Sequence, residues 1–265
     1  MVDSLSLSFP VPRIKNIFFP PLYTGGQPKD SEFMALFLEG GAVGISYVLL
    51  DSERMDSYSA LRSGDFIGSE PGVFAREFGS DDPVKNMLGL AALNAICRHV
   101  FTAADCRLDF ATDSLGMLSV AAGDRVGMVG LFTPLIKRVQ SAGAELVILE
   151  KRGDLIERFP EFPITMDKTV LRGCNKVLCT SITVCNNTID DILANCDQDA
   201  QVAVIGPTAG YFPDPLFKRG VDIVGGTLVT DGDLFYRLIS ERERWGPSTR
   251  KFCFQKADYD GMPLE

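Results

Sequence analysis

Short apolar runs alternate with helix-like segments through the second half of the chain. The runs are rich in Val, Ile, Leu and Met and cover residues 125–130, 145–150, 176–181 and 201–206. Helices are predicted to begin at Thr133-Pro134 and Asp214-Pro215 and to cover 189–194 and 233–243, while strands at 221–224 and 227–229 complete the sheet. Continuous apolar strands that alternate with helices predict a parallel sheet covered on both faces. We therefore expect an α/β fold with a Rossmann-like, mostly parallel sheet over residues 111–265.

The first 110 residues follow a different pattern. Five prolines, at positions 10, 12, 20, 21 and 28, exclude a long helix near the start. Residues 44–50 form an apolar, β-branched run that predicts a strand. Asp82-Pro83 is an N-cap residue followed by a first-turn proline, and apolar residues then recur at helical spacing until about His99-Val100. Residues 1–110 are therefore expected to form a smaller α+β domain.

Composition narrows the range of partners. The 265 residues carry a formal charge of −9 and 46% hydrophobic side chains, which favours a soluble globular protein and argues against nucleic acid as a partner. No apolar stretch is long enough to span a membrane, and the N-terminus lacks the pattern of a signal peptide. Seven scattered cysteines favour reduced thiols, so we expect a cytoplasmic location. The sequence leaves a homodimer open.

The candidate ligand-binding residues gather where the predicted strands end. Ligands of open α/β sheets bind outside the carboxyl ends of the strands, and one polar residue of the long first-domain helix is expected to face the same edge. The predicted set is Asn94, Gly130, Leu131, Thr133, Glu150, Thr180, Ser181, Thr183, Asn186, Asn187, Pro207, Thr208 and Asp231. Hydroxyls, amides and helix N-termini at this edge suit an anionic ligand or an oxygen-coordinated metal complex.

A conventional dinucleotide site is not favoured. Glu150 lies 20 residues after Gly130, as a ribose-binding acid would. However, Phe132 and Leu135 occupy the positions where the fingerprint needs its second and third glycines. The simpler interpretation is that Gly130 makes a tight turn and Glu150 is a solvated strand end.

The thiols and the histidine give little support for a preformed metal site. Cys174, Cys179, Cys185 and Cys196 are spaced C-x4-C-x5-C-x10-C, which matches no zinc or iron–sulfur pattern, so Cys179 is expected to be a buried small hydrophobe. His99 is the single histidine and is expected to cap its helix. Thr188 and Asp191 form a variant of the capping box.

Several stretches together resemble a known family. They are Gly89-Leu-Ala-Ala-Leu-Asn-Ala95, residues 126–130, 180–193, 204–208 with 213–220, and 225–231, and the resemblance runs from about residue 40 to 240. The chain resembles proteins described by heavy-metal chelation, in which an enolase N-terminal-like domain precedes a Rossmann-like domain. The resemblance implies a site between the two domains, with Asn94 facing the loops of the second. Ser181-Ile182 stands where the family tends to have a glycine-rich turn.

Three classes of function follow. The first is a small-ligand-binding protein with an interdomain site that binds or chelates a heavy metal or metal complex. The second is an enzyme that acts on a nucleotide-like or amino-acid-like molecule, S-adenosylmethionine included, in the same cleft. A non-catalytic interaction module is the third, and no motif supports it. The cofactor stays open, with a divalent metal as the candidate.

Overall fold

A computed structural model describes residues 1–21, 32–50, 52–111 and 118–264, which form two sheets with their helices. Pro28 lies outside the described residues. The first sheet is an antiparallel meander of β1 (Ile14–Phe18), β2 (Phe33–Leu38) and β3 (Val43–Tyr47). Every residue of β2 is buried, because the sheet is covered on both faces.

Helices α1 (Val2–Ser8), α2 (Met55–Ser59), α3 (Pro71–Ala75) and α4 (Pro83–Ala103) complete the first half. The predicted start of α4 is confirmed, since the Asp82 side chain accepts hydrogen bonds from the backbone N–H groups of Val84 and Lys85. The helix ends three residues later than predicted. It packs so closely on β3 that a Cβ on Gly44 would lie 2.0 Å from the Ala91 carbonyl oxygen.

The second sheet has the strand order β10-β9-β8-β7-β4-β5-β6. Its strands are β4 (Arg125–Val129), β5 (Glu145–Leu149), β6 (Ile164–Thr165), β7 (Lys176–Thr180), β8 (Gln201–Ile205), β9 (Ile223–Val229) and β10 (Thr249–Gln255). All neighbours pair in parallel except β9 and β10, which are antiparallel. The predicted mixed α/β class with a mostly parallel main sheet is confirmed.

Helices of this half are α5 (Thr133–Ser141), α6 (Asp154–Arg158), α7 (Ile182–Cys185), α8 (Ile189–Leu193), α9 (Asp214–Phe217) and α10 (Gly232–Ser240). Short 3-10 turns occupy Ser52–Arg54, Ser63–Asp65, Lys168–Leu171, Gly246–Ser248 and Lys256–Asp258. Several details differ from the predictions: the strand predicted at 44–50 is β3 and ends at Tyr47, and β10 was not predicted. The segments 221–224 and 227–229 belong to the single strand β9, and the last helix ends at Ser240 rather than 243. None of the described helices is both long and apolar enough to cross a bilayer.

The two sheets are joined through apolar side chains. One face of the first sheet packs on α4, and its other face packs on α10 and the segment after it. That second contact contains Phe33, Phe37, Val43, Ile45, Phe235, Ile239 and Trp245. The rings of Phe33 and Trp245 meet edge to face with centroids 5.7 Å apart. The position of a domain boundary at residue 110 stays a prediction.

Candidate functional site

A cleft of about 380 Å³ lies between the first half of the chain and the end of β7. Its polar lining comes from Tyr47, Ser80, Asp81, Asn86, Asn186 and Asn187. Leu49, Pro83, Met87, Leu90 and Cys185 complete the wall. The cleft therefore lies at the carboxyl edge of the parallel strands, where ligands of such sheets bind.

Asn86 joins the two walls of the cleft. Its amide nitrogen donates to the carbonyl oxygen of Cys185, and its amide oxygen accepts from the N–H of Gly79 at 2.8 Å. Asn86 is 94% buried, and both its amide nitrogen and its amide oxygen have hydrogen-bond partners inside the protein. Asn86 therefore holds α4 against the loop after α7 and has no free atom for a ligand.

The N-terminus of α4 forms part of the wall, and it is closed by the protein itself. Asp82 Oδ1 accepts from Val84 N at 2.9 Å and from Lys85 N at 3.3 Å, and the Asp82 carbonyl oxygen accepts from Asn86 N at 2.9 Å. Pro83 has no N–H to offer. The first turn of this helix is therefore unavailable to an anion.

Tyr47 forms the opposite wall, and its hydroxyl donates a short hydrogen bond to Glu32. Burial, together with this bond and the charge of Glu32, raises the pKa of Tyr47 far above its ordinary value. The phenol of Tyr47 thus keeps its proton and directs it at the Glu32 carboxylate. A ligand that meets the phenol oxygen must donate a hydrogen bond to it.

A buried polar network lies beneath the cleft. Asn94 donates to the carbonyl oxygens of Ile45 and Thr208 at 2.8 and 2.9 Å, as its predicted place between the two halves requires. The hydroxyl of Ser181 bonds to that of Thr208 at 2.7 Å, and the Cys185 thiol donates to the same Thr208 oxygen at 3.5 Å. These bonds fix the floor of the cleft.

The predicted site residues fall into three groups. Asn186 and Asn187 line the cleft, and Asn187 has a left-handed backbone with φ of 55°. Asn94, Ser181, Thr183 and Thr208 are buried with hydrogen-bond partners inside the protein, although the Oδ1 atom of Asn94 has none among the described residues. The remaining residues lie outside the cleft lining: Gly130, Leu131, Thr133, Glu150, Thr180, Pro207 and Asp231. Ligand binding by any of them stays a prediction.

Two of those outlying residues have structural partners. Gly130 has φ of 89°, as its predicted tight turn requires. The Glu150 carboxylate accepts from the N–H groups of Leu131, Lys151 and Arg152 at 3.2, 2.8 and 3.2 Å, so it ties the loops after β4 and β5 together. Asp231 caps α10 by accepting from Leu234 N at 2.9 Å.

Two local predictions are wrong. Thr188 begins α8 without a side-chain cap, because its hydroxyl donates to Asn186 Oδ1 and Asp191 pairs with Lys168. His99 does not cap its helix: its Nε2 atom lies 3.0 Å from the carbonyl oxygen of Pro10 and so ties the N-terminal segment to α4.

Nine of the eleven residues that line the cleft were missing from the predicted set, including four polar ones: Tyr47, Ser80, Asp81 and Asn86. One of them carried a usable signal. Asn86 precedes Asn94 by eight positions, which places the two amides within about 80° of each other around the helix. The spacing therefore indicates that Asn86 lies on nearly the same side of α4 as Asn94, which was already predicted to face the second half of the chain.

The thiols of Cys179 and Cys185 are buried and hydrogen-bonded inside the protein. Burial raises the pKa of Cys179 to about 12 and that of Cys185 to about 11, although hydrogen bonds with Thr183 and Thr208 oppose these shifts. The expectation that Cys179 is buried is confirmed. Thiolates, not thiols, bind metals. Within residues 1–21, 32–50, 52–111 and 118–264, no three His, Cys, Asp or Glu side chains are grouped to hold an ion.

Two solved structures with a similar fold come from different organisms. A protein from Desulfitobacterium hafniense, titled as one with unknown function from the DUF364 family, is 22% identical and aligns over 96% of this chain and 97% of its own with a TM-score of 0.69. A protein from Pyrococcus horikoshii with the same family label is 16% identical and aligns over 96% of both chains, also with a TM-score of 0.69. At these identities the likeness shows a shared fold. No curated protein matches the chain.

Family models cover most of the chain. A model described as "Putative heavy-metal chelation" (DUF4213) matches residues 31–97, which include β2, β3 and most of α4. A second model with the same description (DUF364) matches residues 113–256, more than half of the chain. The chain therefore belongs to the DUF364 family, whose model carries that description.

Proposed function

We propose that the protein binds a small polar molecule in the cleft between Tyr47 and Asn187, and that a heavy metal reaches it as a complex with an organic ligand. The observation that carries the proposal is the cleft itself, which joins both family regions at the carboxyl edge of the sheet. Its volume of about 380 Å³ falls in the range of small-molecule sites.

The donor set of the wall favours a complex over a bare ion. The polar side chains of the cleft lining are amides and hydroxyls, with Asp81 as the carboxylate. Cys185 also lines the cleft, but burial raises the pKa of its thiol to about 11, and the thiol donates a hydrogen bond to Thr208. A soft ion needs thiolates, whereas hydroxyls and amides recognise the outer surface of a molecule through hydrogen bonds.

A thermal-shift and calorimetry panel tests the proposal. It contains divalent metals alone, the same metals with small chelators, nucleotides and S-adenosylmethionine. We expect binding by one or more of the organic molecules or complexes and only weak binding of the metals alone, because a ligand that prefers the folded state stabilises it.

Asn187→Gly is the variant that locates the binding. Glycine adopts the left-handed backbone of this position without strain, so the variant removes the amide and keeps the loop. We expect affinity to fall about 2-fold to 13-fold, the equivalent of one lost hydrogen bond of about 0.5–1.5 kcal/mol at an exposed side chain. The control is Asn195→Ala, which removes the amide of a half-buried residue outside the cleft lining. A stoichiometric bare metal that resists chelators, or ligand binding indifferent to Asn187→Gly, would refute the proposal.

A further inference from the structure

We infer that the ligand of this cleft is a cation that donates hydrogen bonds, an inference that rests on the proposed function. It replaces the expectation of an anionic ligand that the sequence suggested. The inference comes from counting which donors, acceptors and charges of the wall remain after the protein has satisfied its own groups.

The charge that the wall presents is negative. Asp81 is exposed at the cleft and is the charged residue of its lining, and Glu32 stands behind the Tyr47 hydroxyl. No Lys, Arg or His side chain belongs to that lining within the described parts of the chain. An anion would therefore meet a carboxylate without a cation to balance it.

Nearby cations are engaged with other carboxylates. Arg152, whose positive charge acts on Tyr47, holds Asp154 at 2.7 Å. At the start of α4, Arg54 lies 3.5 Å from Asp82, and Lys85 lies 3.4 Å from Glu77. Among the described residues around the helix start, these pairs leave no cation to compensate the negative charge of Asp81.

The hydrogen-bond inventory points the same way. The Tyr47 hydroxyl donates its one hydrogen to Glu32 in a hydrogen bond, so it offers a ligand only lone pairs, and Asp81 offers only acceptors. The N–H groups of the first turn of α4 are held by Asp82, so they cannot serve a phosphate or carboxylate. Asn187 is a neutral amide that presents either an acceptor or a donor. Asn186 and Ser80 keep donors, because their oxygens already accept from Thr188 Oγ1 and Asp82 N, so the ligand can also carry an acceptor beside its positive charge. An ammonium, a guanidinium or a metal complex with N–H groups on its surface matches these atoms.

Overall charge acts in the same direction. The formal net charge of −9 draws small cations toward the protein and repels anions at long range. This field acts on the whole surface, so a test must separate binding in the cleft from binding elsewhere on the protein.

The test uses two matched pairs of probes, measured by calorimetry on the full chain at about 0.15 M salt, where charges beyond about 8 Å are screened. Hexaamminecobalt(III) is paired with the anionic cobalt(III)–EDTA complex, and 1,3-diaminopropane is paired with malonate. We expect at least one cation to bind and both anions to fail. Asp81→Asn should weaken the cation about fivefold, the size of one exposed ion pair.

Asp199→Asn is the matched control, because it removes the same charge from an exposed acid before β8, at the opposite edge of the sheet. Equal loss in both variants would show surface attraction only and would overturn the inference. Anion binding that Asn187→Gly weakens would overturn the inference and leave the proposed function standing. Failure of all four probes would also overturn the inference, and the wider panel then decides the proposed function separately.

Discussion

Asn86 should be the most sensitive side chain of the cleft wall, and Asn86→Ala tests this. The substitution removes the acceptor of the Gly79 N–H and the donor to the Cys185 carbonyl. A buried backbone group that loses its partner costs about 1–3 kcal/mol, and two groups are affected. Alanine returns about 0.6 kcal/mol through its higher helix propensity. Water from the cleft can hydrate part of the Cys185 carbonyl, so we expect a net loss of about 2–4 kcal/mol.

Urea denaturation followed by circular dichroism measures that loss directly. The midpoint should fall while the slope stays constant, since the surface exposed on unfolding is nearly unchanged. Asn86→Asp sharpens the test, because the aspartate keeps the acceptor for Gly79 and places a carboxylate oxygen against the Cys185 carbonyl. It should therefore destabilise at least as much as alanine does.

Asn195→Ala is the control for both variants, since its amide donates to the Asp191 carbonyl oxygen at the surface. It should change the free energy of unfolding by no more than about 0.5 kcal/mol. A loss below about 1 kcal/mol for Asn86→Ala would refute the reasoning. It would mean that the two walls are held together by the apolar contacts of α4 alone.

Three further predictions concern stability. Gly44→Ala should lower the free energy of unfolding, measured by urea denaturation, by about 3 kcal/mol or more, because its Cβ would meet the backbone of α4. Gly64→Ala is the control, since a Cβ there has open space and should be neutral or slightly stabilising. Equal effects of the two variants would contradict the close packing of α4 on β3. Burial raises the pKa of Cys179 to about 12 in the folded protein, so the thiol loses its proton at a lower pH in the unfolded chain than in the folded one. The free energy of unfolding should therefore be constant below about pH 9 and should decline as the pH rises toward 12. Urea midpoints at pH 8 and pH 10 check this, and an unchanged midpoint speaks against a buried neutral thiol. Asp231→Ala should cost about 1 kcal/mol by removing the cap of α10, without changing affinity in the cleft; an affinity loss would return Asp231 to the site.

The sequence reveals those parts of the fold that follow from local chemistry. Asp82-Pro83 predicted the start of α4, because capping needs only neighbouring residues. The parallel strands were predictable because burial on both faces produces continuous apolar runs. The edge strand β10 was missed, since its first residues are exposed and charged and its apolar residues come only later.

The site was harder to predict because it depends on contacts between distant parts of the chain. The strand-end rule located Asn186 and Asn187, which belong to the parallel sheet. Tyr47 and Asp81 come from the other half, and nothing local shows which of its polar residues will face the sheet. Thr208 looked like a ligand-binding residue, but its hydroxyl is used by Ser181 and Cys185.

The packing of the first sheet against Trp245 matters during synthesis, because the ribosome makes the first half of the chain long before the residues that cover this sheet. Phe33 and Phe37 emerge early, yet the side chains that cover them, Phe235 and Trp245, emerge near the end. At 5–20 residues per second, this aromatic face stays bare for about 10–40 s of synthesis. Such a surface is a natural target for chaperones. A chain that stops before α10 would keep every lining residue of the cleft and still expose the face permanently, so it should aggregate.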